Sequence, residues 1–206
     1  MDNPSSPARG PVVPPVPANV PHVGGSGFVR WLGRTVLRLG GWRVLGPIPD
    51  LGRAVVIAAP HSSNWDGLWA FGAKMALGLD VRILAKESLF KVPVLGHVLH
   101  RLGVLPVNRR AARGVVEQAV DLIRQSEKFW YGIAPEGTRQ RVEHWKTGFW
   151  KIAHGAGVPV LPVYFHYPDK IIGVGELFHL DGDMEADMAR IRAWYRPWIG
   201  RNRGTV

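Results

Sequence analysis

The stretch PHSSNWDG, at residues 60–67, separates two apolar segments of different character and decides how the rest of the chain is interpreted. The preceding run AVVIAA (54–59) is β-branched and alanine-rich, which predicts a buried strand. The following run LWAFGAKMALGL (68–79) has the apolar spacing of a helix. His61 and Asp66 are therefore predicted at a strand-to-helix turn, where side chains can converge on a cleft.

The spacing of His61 and Asp66 is compatible with a proton-abstracting dyad. Across such a turn the carboxylate can fold back onto the imidazole, fix its tautomer and leave the second ring nitrogen as a base. This device needs no serine or cysteine nucleophile. A structural interpretation competes with it, because Asn64 and Asp66 are also ordinary helix-capping residues and a histidine near a strand end is often structural.

The composition of the 206-residue chain is that of one globular domain with an anionic partner. It contains 46% hydrophobic and 20% charged residues and no cysteine, which excludes thiolate catalysis, disulfides and cysteine-ligated zinc. The net charge of +10 indicates nucleic acid, an anionic lipid surface or a phosphorylated substrate. No run approaches the ~18 apolar residues that span a bilayer, and the N-terminus lacks the apolar region of a signal peptide.

The sequence predicts two short regions ahead of the main domain, which we place at residues 47–206. Residues 1–27 are rich in Pro, Gly, Ser and Val and predict a disordered tail. Residues 28–46 predict an amphipathic basic helix that lies on a membrane surface or, alternatively, packs on the domain with its arginines in solvent. The helix carries one stripe of arginines four residues apart, at Arg30, Arg34 and Arg38.

Strands and helices alternate along the main domain. Further strands are predicted at 81–85, 104–109, 129–134, 158–165 and 169–175. Helices are predicted at 111–126, 145–157 and 183–199, with an interrupted helix at 86–103. This alternation predicts an α/β fold, a single layered αβα domain with a mixed, largely parallel sheet. Prolines at the margins of 158–165 predict an edge strand or a bend.

Polar residues follow several of the predicted strands, where active sites of such sheets gather. They are His61, Lys86, Arg109 and Glu136. Each could be an ordinary charged loop residue, but four at the same kind of position are less common.

Four motifs, taken in order, resemble those of the glycerolipid acyltransferases, the lysophospholipid acyltransferase family that includes 1-acyl-sn-glycerol-3-phosphate acyltransferases. They are H-x4-D at His61 to Asp66, the arginine-terminated strand GVLPVNR (103–109), EGTR (136–139) and VPVLPV (158–163). Lys86 lies where the family often has a lysine between the first two motifs. The resemblance covers about residues 50–170. It departs from the family in the run QRVEHWKTGFWKIA after EGTR and in the absence of the transmembrane segments that many relatives carry.

The resemblance implies an O-acyltransferase that moves a fatty acyl group from acyl-CoA or acyl carrier protein to a hydroxyl of a lysophospholipid-like acceptor, such as 1-acylglycerol-3-phosphate. No acyl-enzyme is expected. The family's histidine is the general base and its aspartate orients the histidine, so these catalytic roles fall to His61 and Asp66. The resemblance assigns substrate binding, including the acceptor's phosphate or head group, to Lys86, Arg109, Glu136, Gly137, Thr138 and Arg139.

The resemblance and the basic composition together lead to expectations about partners and location. The acyl donor is a co-substrate, and neither a cofactor nor a metal is expected. An anionic membrane surface is the expected partner, nucleic acid is not, and the expected location is cytoplasmic, peripheral to the inner face of the cell membrane. His144, His166, His179 and Glu176 match no metal-ligand spacing.

Three alternatives remain open at the level of sequence. One is acyl transfer to a non-glycerol acceptor. Another is a hydrolase in which His61 activates water, although no GxSxG elbow is present. The last is a basic membrane- or nucleic-acid-binding protein without activity, for which no helix-turn-helix, zinc-finger or RNP signature is evident.

Overall fold

The computed structural model describes residues 11–24, 26–107, 114–140 and 142–202. The strands are β1 (Arg43–Leu45), β2 (Arg53–Ala59), β3 (Val81–Lys86), β4 (Val104–Val107), β5 (Phe129–Ile133), β6 (Val160–His166) and β7 (Ile171–Val174). The helices are α1 (Gly27–Gly40), α2 (Asn64–Leu77), α3 (Leu95–Arg101), α4 (Val115–Gln125), α5 (Gly148–Ala156) and α6 (Met184–Tyr195), with a 3₁₀ helix at Glu87–Lys91.

The strands form one mixed sheet in the order β1-β7-β6-β2-β5-β3-β4. Neighbouring strands run parallel except for the antiparallel pair β6–β7. The predicted α/β class and largely parallel sheet are therefore confirmed. Strand β2 lies in the interior between β6 and β5, so its carboxyl end is flanked by the carboxyl ends of both neighbours. The residues that follow β2, β5 and β6 meet at one edge of the sheet.

Each face of the sheet has its own core because successive side chains of a strand point to opposite sides. Val55 and Ile57 of β2 belong to a core shared with α4, α5 and α6. Ala54 and Val56 belong to a second core shared with α1 and α2. The result is the predicted αβα layering.

Helices α1 and α2 pack antiparallel in close contact, and Gly33 of α1 makes this possible. A Cβ at Gly33 would lie 2.4 Å from the backbone nitrogen of Ala76 and 2.7 Å from the carbonyl oxygen of Gly72. The residue that lowers the helix propensity of α1 is therefore the one that lets the two backbones approach. The opposite side of α1 leaves Phe28 and Trp31 exposed.

Residues 11–24 pack against the domain, whereas the sequence predicted a disordered tail over 1–27. Val20 is fully buried, and the carbonyls of Val12 and Pro21 accept hydrogen bonds from the backbone N–H groups of Val44 and Asp80, each at 2.8 Å. Prolines keep this segment out of a helix, while its valines contribute apolar contacts to the core of α1 and α2. Residues 1–10 lie outside the described residues.

Two further local predictions differ from the structure. The segment 158–165 is not an edge strand, because β6 lies between β7 and β2. Pro162 is tolerated there since it lies at the margin of the β6–β7 ladder, where its carbonyl accepts from Gly175, just beyond β7, at 2.9 Å. The helix predicted over residues 28–46 is too long, because Gly41 adopts a left-handed φ of +75° and ends α1 at Gly40, and residues 43–45 form strand β1 instead.

Candidate active site

The structure brings His61 and Asp66 together at the carboxyl end of β2. The Nδ1 atom of His61 lies 3.3 Å from Oδ2 of Asp66. The side chain of Asp66 is inaccessible to solvent, while 24% of the His61 side chain is exposed. A buried carboxylate at Nδ1 holds the imidazole in one orientation and leaves Nε2 for a reacting partner.

Asp66 also caps helix α2. Ser63 is the N-cap residue, and its Oγ accepts a hydrogen bond from the backbone N–H of Trp65 at 3.3 Å. The backbone N–H of Ser63 in turn donates to Oδ2 of Asp66 at 2.8 Å, which completes a capping box. The capping and dyad interpretations of Asp66 are thus compatible, because one carboxylate oxygen serves both. The helix begins at Asn64, four residues before the predicted start, so Asp66 lies in its first turn.

Glu136 follows β5 and reaches the backbone of His61. Its Oε2 accepts a hydrogen bond from the backbone N–H of His61 at 2.7 Å. Only 1% of the residue is exposed, and no partner for Oε1 occurs among the described residues. Burial raises the pKa of Glu136 to about 8. The hydrogen bond from the backbone of His61 lowers this pKa, and the negative charge of Asp66 raises it further. The carboxyl group therefore holds the backbone of His61 in place by a hydrogen bond. Its contact with substrate remains a prediction.

The other residues of the EGTR motif lie nearer the surface. Gly137 adopts a φ of +67°, which disfavours any residue with a side chain. A Cβ there would also lie 2.8 Å from Cε of Lys146, so this lysine lies directly against the turn. Thr138 Oγ1 accepts from the backbone N–H of Gln140 at 3.3 Å, and Arg139 is exposed.

Two further residues, Lys86 and Arg109, were predicted to bind substrate. Lys86 is the last residue of β3, at the same edge of the sheet as His61. Arg109 lies outside the described residues. Their predicted contact with substrate remains a prediction.

An apolar cavity of about 290 Å³ begins at the dyad and extends between α2 and the sheet. His61 and Asp66 line it at the carboxyl end of β2, and Lys74 lines it near the start of β3. The ammonium group of Lys74 donates to the carbonyls of Val81 and Leu102 at 2.8 and 2.6 Å. Burial lowers the pKa of Lys74, and the charge of Asp80 opposes that effect. The lining between these ends consists of Gly, Ala, Val, Leu, Ile, Phe and Trp side chains.

Sequence reasoning missed three residues that the fold brings to the dyad. Tyr167, just after β6, donates a hydrogen bond from its hydroxyl to Oδ1 of Asp66. Asn202 donates from Nδ2 to the carbonyl of Ser62 at 2.6 Å. The guanidinium of Arg201 lies 5.3 Å from the ring centroid of Trp65, within the H-x4-D motif. These contacts span more than a hundred residues of sequence, and no local pattern signals them.

The described part of the chain offers no group of three or more His, Asp or Glu residues that could hold a metal ion. Within the same residues, no helix combines the length and apolarity needed to cross a membrane.

Comparison with known proteins gives consistent results. A family model described as Acyltransferase matches residues 43–166. The 1-acyl-sn-glycerol-3-phosphate acyltransferase BAT2 of Brassica napus is 30% identical over 121 residues, 56% of this chain and 35% of that protein. The Escherichia coli (strain K12) 1-acyl-sn-glycerol-3-phosphate acyltransferase is 32% identical over 119 residues, 54% of this chain and 46% of its own length. The matched region thus spans less than half the length of these curated relatives.

The crystal structure of the 1-acyl-sn-glycerophosphate (LPA) acyltransferase PlsC from Thermotoga maritima superposes with a TM-score of 0.61 at 21% identity. The match covers 82% of this chain and 76% of the other, and it shows a shared fold. Because the family model covers more than half of the sequence, the chain belongs to the acyltransferase family. The family predicted from the four motifs is therefore confirmed.

Proposed function

We propose that this protein transfers a fatty acyl group from acyl-CoA or acyl carrier protein to a free hydroxyl of a lysophospholipid such as 1-acylglycerol-3-phosphate. One observation carries the proposal: the His61–Asp66 dyad lies at one end of an apolar cavity. A base beside an apolar channel suits a reaction in which an acyl chain is bound while a proton is removed. The names of the relatives support the lysophosphatidate class of acceptor.

The dyad supplies the proton transfers of a direct displacement. Nε2 of His61 takes the proton of the acceptor hydroxyl as its oxygen attacks the thioester carbonyl. The carbon–sulfur bond breaks, and the departing thiolate receives the proton back from His61. Asp66 faces the resulting positive charge at Nδ1, and the dyad ends in its starting state. The reaction forms no acyl-enzyme.

The cavity would bind the acyl chain of the donor. Its volume of about 290 Å³ lies near the lower end of ordinary ligand pockets. Burial of an apolar chain there is favourable because it leaves water. Lys74, Phe71 and Leu79 line both this cavity and a second one of about 60 Å³ beyond it, so these three residues form the partition between the two. The partition would limit the chain length accepted.

Cations around the dyad would hold the phosphate of the acceptor. Arg139 and Arg201 are exposed, and neither forms an ion pair with a carboxylate among the described residues. Guanidinium groups suit bidentate contacts to phosphate. Lys146 lies against Gly137 and supplies a further positive charge. For Arg109 and Lys86, the resemblance to the family motifs implies the same role in binding the acceptor.

A panel of acceptors and donors tests the proposal. Release of free thiol would be followed with acyl-CoA and with acyl carrier protein, using lysophosphatidate, other lysolipids and simple alcohols. We expect release that depends on an acceptor with both a free hydroxyl and a phosphate. Equal release without acceptor would indicate a thioesterase, and a preference for uncharged alcohols would overturn the phosphate acceptor.

We also propose that α1 holds the protein on the inner face of the cell membrane. Phe28 and Trp31 are 66% and 55% exposed, and their rings stack at 5.7 Å. Arg34 and Arg38 are exposed on the same helix. Aromatic side chains and arginines on one helix favour an anionic lipid interface, where each basic residue is worth roughly 1 kcal/mol.

Flotation with liposomes separates this role from simple packing of α1 on the domain. Binding should require anionic lipid, weaken with salt and decrease when Arg30, Arg34 and Arg38 are changed to Gln. The control variant removes the same charge elsewhere, at Arg53, Lys151 and Arg192. Equal losses in both variants would leave only a net-charge effect and overturn the assignment to α1.

A further inference from the structure

The carboxylate of Asp66 is held from two sides, and the two oxygen atoms have different partners. Oδ2 faces Nδ1 of His61 and accepts from the backbone N–H of Ser63. Oδ1 accepts from the hydroxyl of Tyr167, which is 101 residues away in the sequence. Because the carboxylate can rotate about its bond to Cβ, a donor at Oδ1 decides the plane in which Oδ2 meets the imidazole.

The position of the Tyr167 ring is itself determined by its surroundings. It packs edge to face with the ring of Trp42, with ring centroids 4.8 Å apart at 85°. Trp42 and Trp69 in turn stack on each other at 5.3 Å. The backbone N–H of Tyr167 donates to the carbonyl of Ile199 at 2.9 Å. The tyrosine therefore has little freedom to leave Asp66.

The hydroxyl of Tyr167 acts as a donor and not as a base. Burial, followed by the hydrogen bond to Asp66 and the charge of that carboxylate, raises the pKa of Tyr167 above its usual value of 10, against smaller opposite effects of Arg201 and Trp69. It keeps its proton throughout the range in which a histidine base operates. Its effect on the reaction must pass through Asp66.

We propose that Tyr167 is a positioning residue of the dyad, which orients Asp66 so that His61 keeps the tautomer with a free Nε2. The inference rests on the proposed function and adds a third side chain to the catalytic arrangement. It comes from the carboxyl end of β6, next to β2 in the sheet. The competing explanation is that Tyr167 only satisfies a buried oxygen of Asp66 and stabilises the fold.

The variant Tyr167→Phe distinguishes the two explanations because it keeps the ring and its packing. We expect kcat to fall roughly 10-fold, as displacement of a catalytic group allows, with the KM values of donor and acceptor essentially unchanged. Tyr164→Phe is the matched control, since Tyr164 stacks on Trp198 at 3.6 Å and does not contact Asp66. Equal kcat in the two variants, or a change confined to KM, would overturn the proposal.

A double-mutant cycle with Asp66→Asn tests the route of the effect. If Tyr167 acts through Asp66, its substitution should cost little more in the Asp66→Asn background, whereas additive losses would overturn the proposal. Nitrogen-15 NMR of the His61 ring gives a readout that needs no activity. The wild type should show the Nδ1–H tautomer, and Tyr167→Phe should show a mixture. If the wild type transfers no acyl group, the proposed function fails, while an unchanged tautomer in Tyr167→Phe would overturn this inference separately.

Discussion

The two faces of the sheet are built from the same strands but filled differently. On the face of α4, α5 and α6, large side chains close the core, and Phe149 and Tyr195 are fully buried. Trp145 contacts both of these rings, with centroids 6.5 and 5.2 Å away. On the face of α2, several glycine and alanine residues occur among the larger apolar side chains that line a cavity of about 290 Å³. These small residues include Gly67, Ala70 and Ala73 of α2 and Ala58 and Gly132 of the sheet.

The filled core on one face and the cavity on the other indicate that the two faces serve different purposes, stability and function. An apolar void lowers stability because its lining loses contacts, so a fold selected only for stability would fill it. The open face instead ends at His61 and Asp66. Both cavities described above are lined by residues of α2 and by none from α4, α5 or α6. Substitutions on the closed face should therefore act on folding, and those on the open face on catalysis and specificity.

The largest effect is expected at the dyad. His61→Ala should lower acyl transfer by about 10²–10⁴-fold, the contribution of a positioned base, without a matching loss of thermal stability. Asp66→Asn should lose less activity, because it disturbs the orientation of the base without removing it. Rates of thiol release and melting temperatures check both variants. Wild-type rates in His61→Ala would exclude the proposed mechanism.

On the closed face, Phe149→Ala should reduce the free energy of unfolding by about 3–5 kcal/mol, as for other buried aromatic residues. Its ring is fully buried and contacts Trp145. The KM values of the fraction that remains folded should be unchanged. Urea denaturation and kinetics at low temperature measure the two quantities. A change in KM without loss of stability would contradict the division between the two faces.

The carboxyl group of Glu136 should make stability depend on pH. Its pKa of about 8 in the folded protein exceeds the ordinary value of 4.5, so the folded state holds a proton that the unfolded state releases between these values. The contribution of Glu136 to stability is therefore greatest below about pH 4.5 and is lost as the pH rises to about 8, by an amount on the order of a few kcal/mol.

Glu136→Gln keeps an acceptor for His61 but cannot ionise, so its stability should vary less over that interval. Glu127→Gln, which alters an exposed acid, should retain the wild-type slope. Chemical denaturation at a series of pH values compares the three proteins, and identical slopes would show that Glu136 does not titrate as described.

The partition at the end of the cavity should set the acyl-chain preference. Phe71→Ala would join the two cavities, because Phe71 lines both, and should shift the preferred donor several-fold toward longer chains. Met75→Ala is the control, since Met75 lines only the smaller cavity. Competition between donors of different chain length gives the ratio. An equal shift in both variants would show that the partition between the two cavities does not set the chain-length preference.

The smallest effect is expected at the rim of the open face. Arg201→Gln should raise the KM for a phosphorylated acceptor roughly two- to fivefold, which is typical of one exposed charge contact. The KM for the acyl donor should not change. Arg196→Gln removes the same charge at the end of α6 and serves as control. A rise in donor KM alone would reassign Arg201 to the phosphates of the donor.

Local patterns were sufficient for most strands and helices and for the dyad. The run 54–59 and strand β2 differ by one residue at the start, because a short apolar run bounded by Arg53 and Pro60 has clear limits. The capping interpretation of Asp66 and its role beside His61 could not be separated by sequence. In the folded chain the same carboxylate performs both contacts.

The sequence by itself determined the family, the αβα class and the residues of the dyad, because these depend on motifs and periods within short stretches. Only the tertiary structure decided that Glu136 holds the backbone of His61, that Tyr167 holds Asp66 and that Asn202 holds Ser62. These pairs lie 75, 101 and 140 residues apart. Their contact follows from the order β6-β2-β5, since parallel neighbours bring their carboxyl ends to one edge and the chain after α6 returns to it. A periodic pattern reports which side of a strand is buried, but strand order depends on the packing of the whole chain.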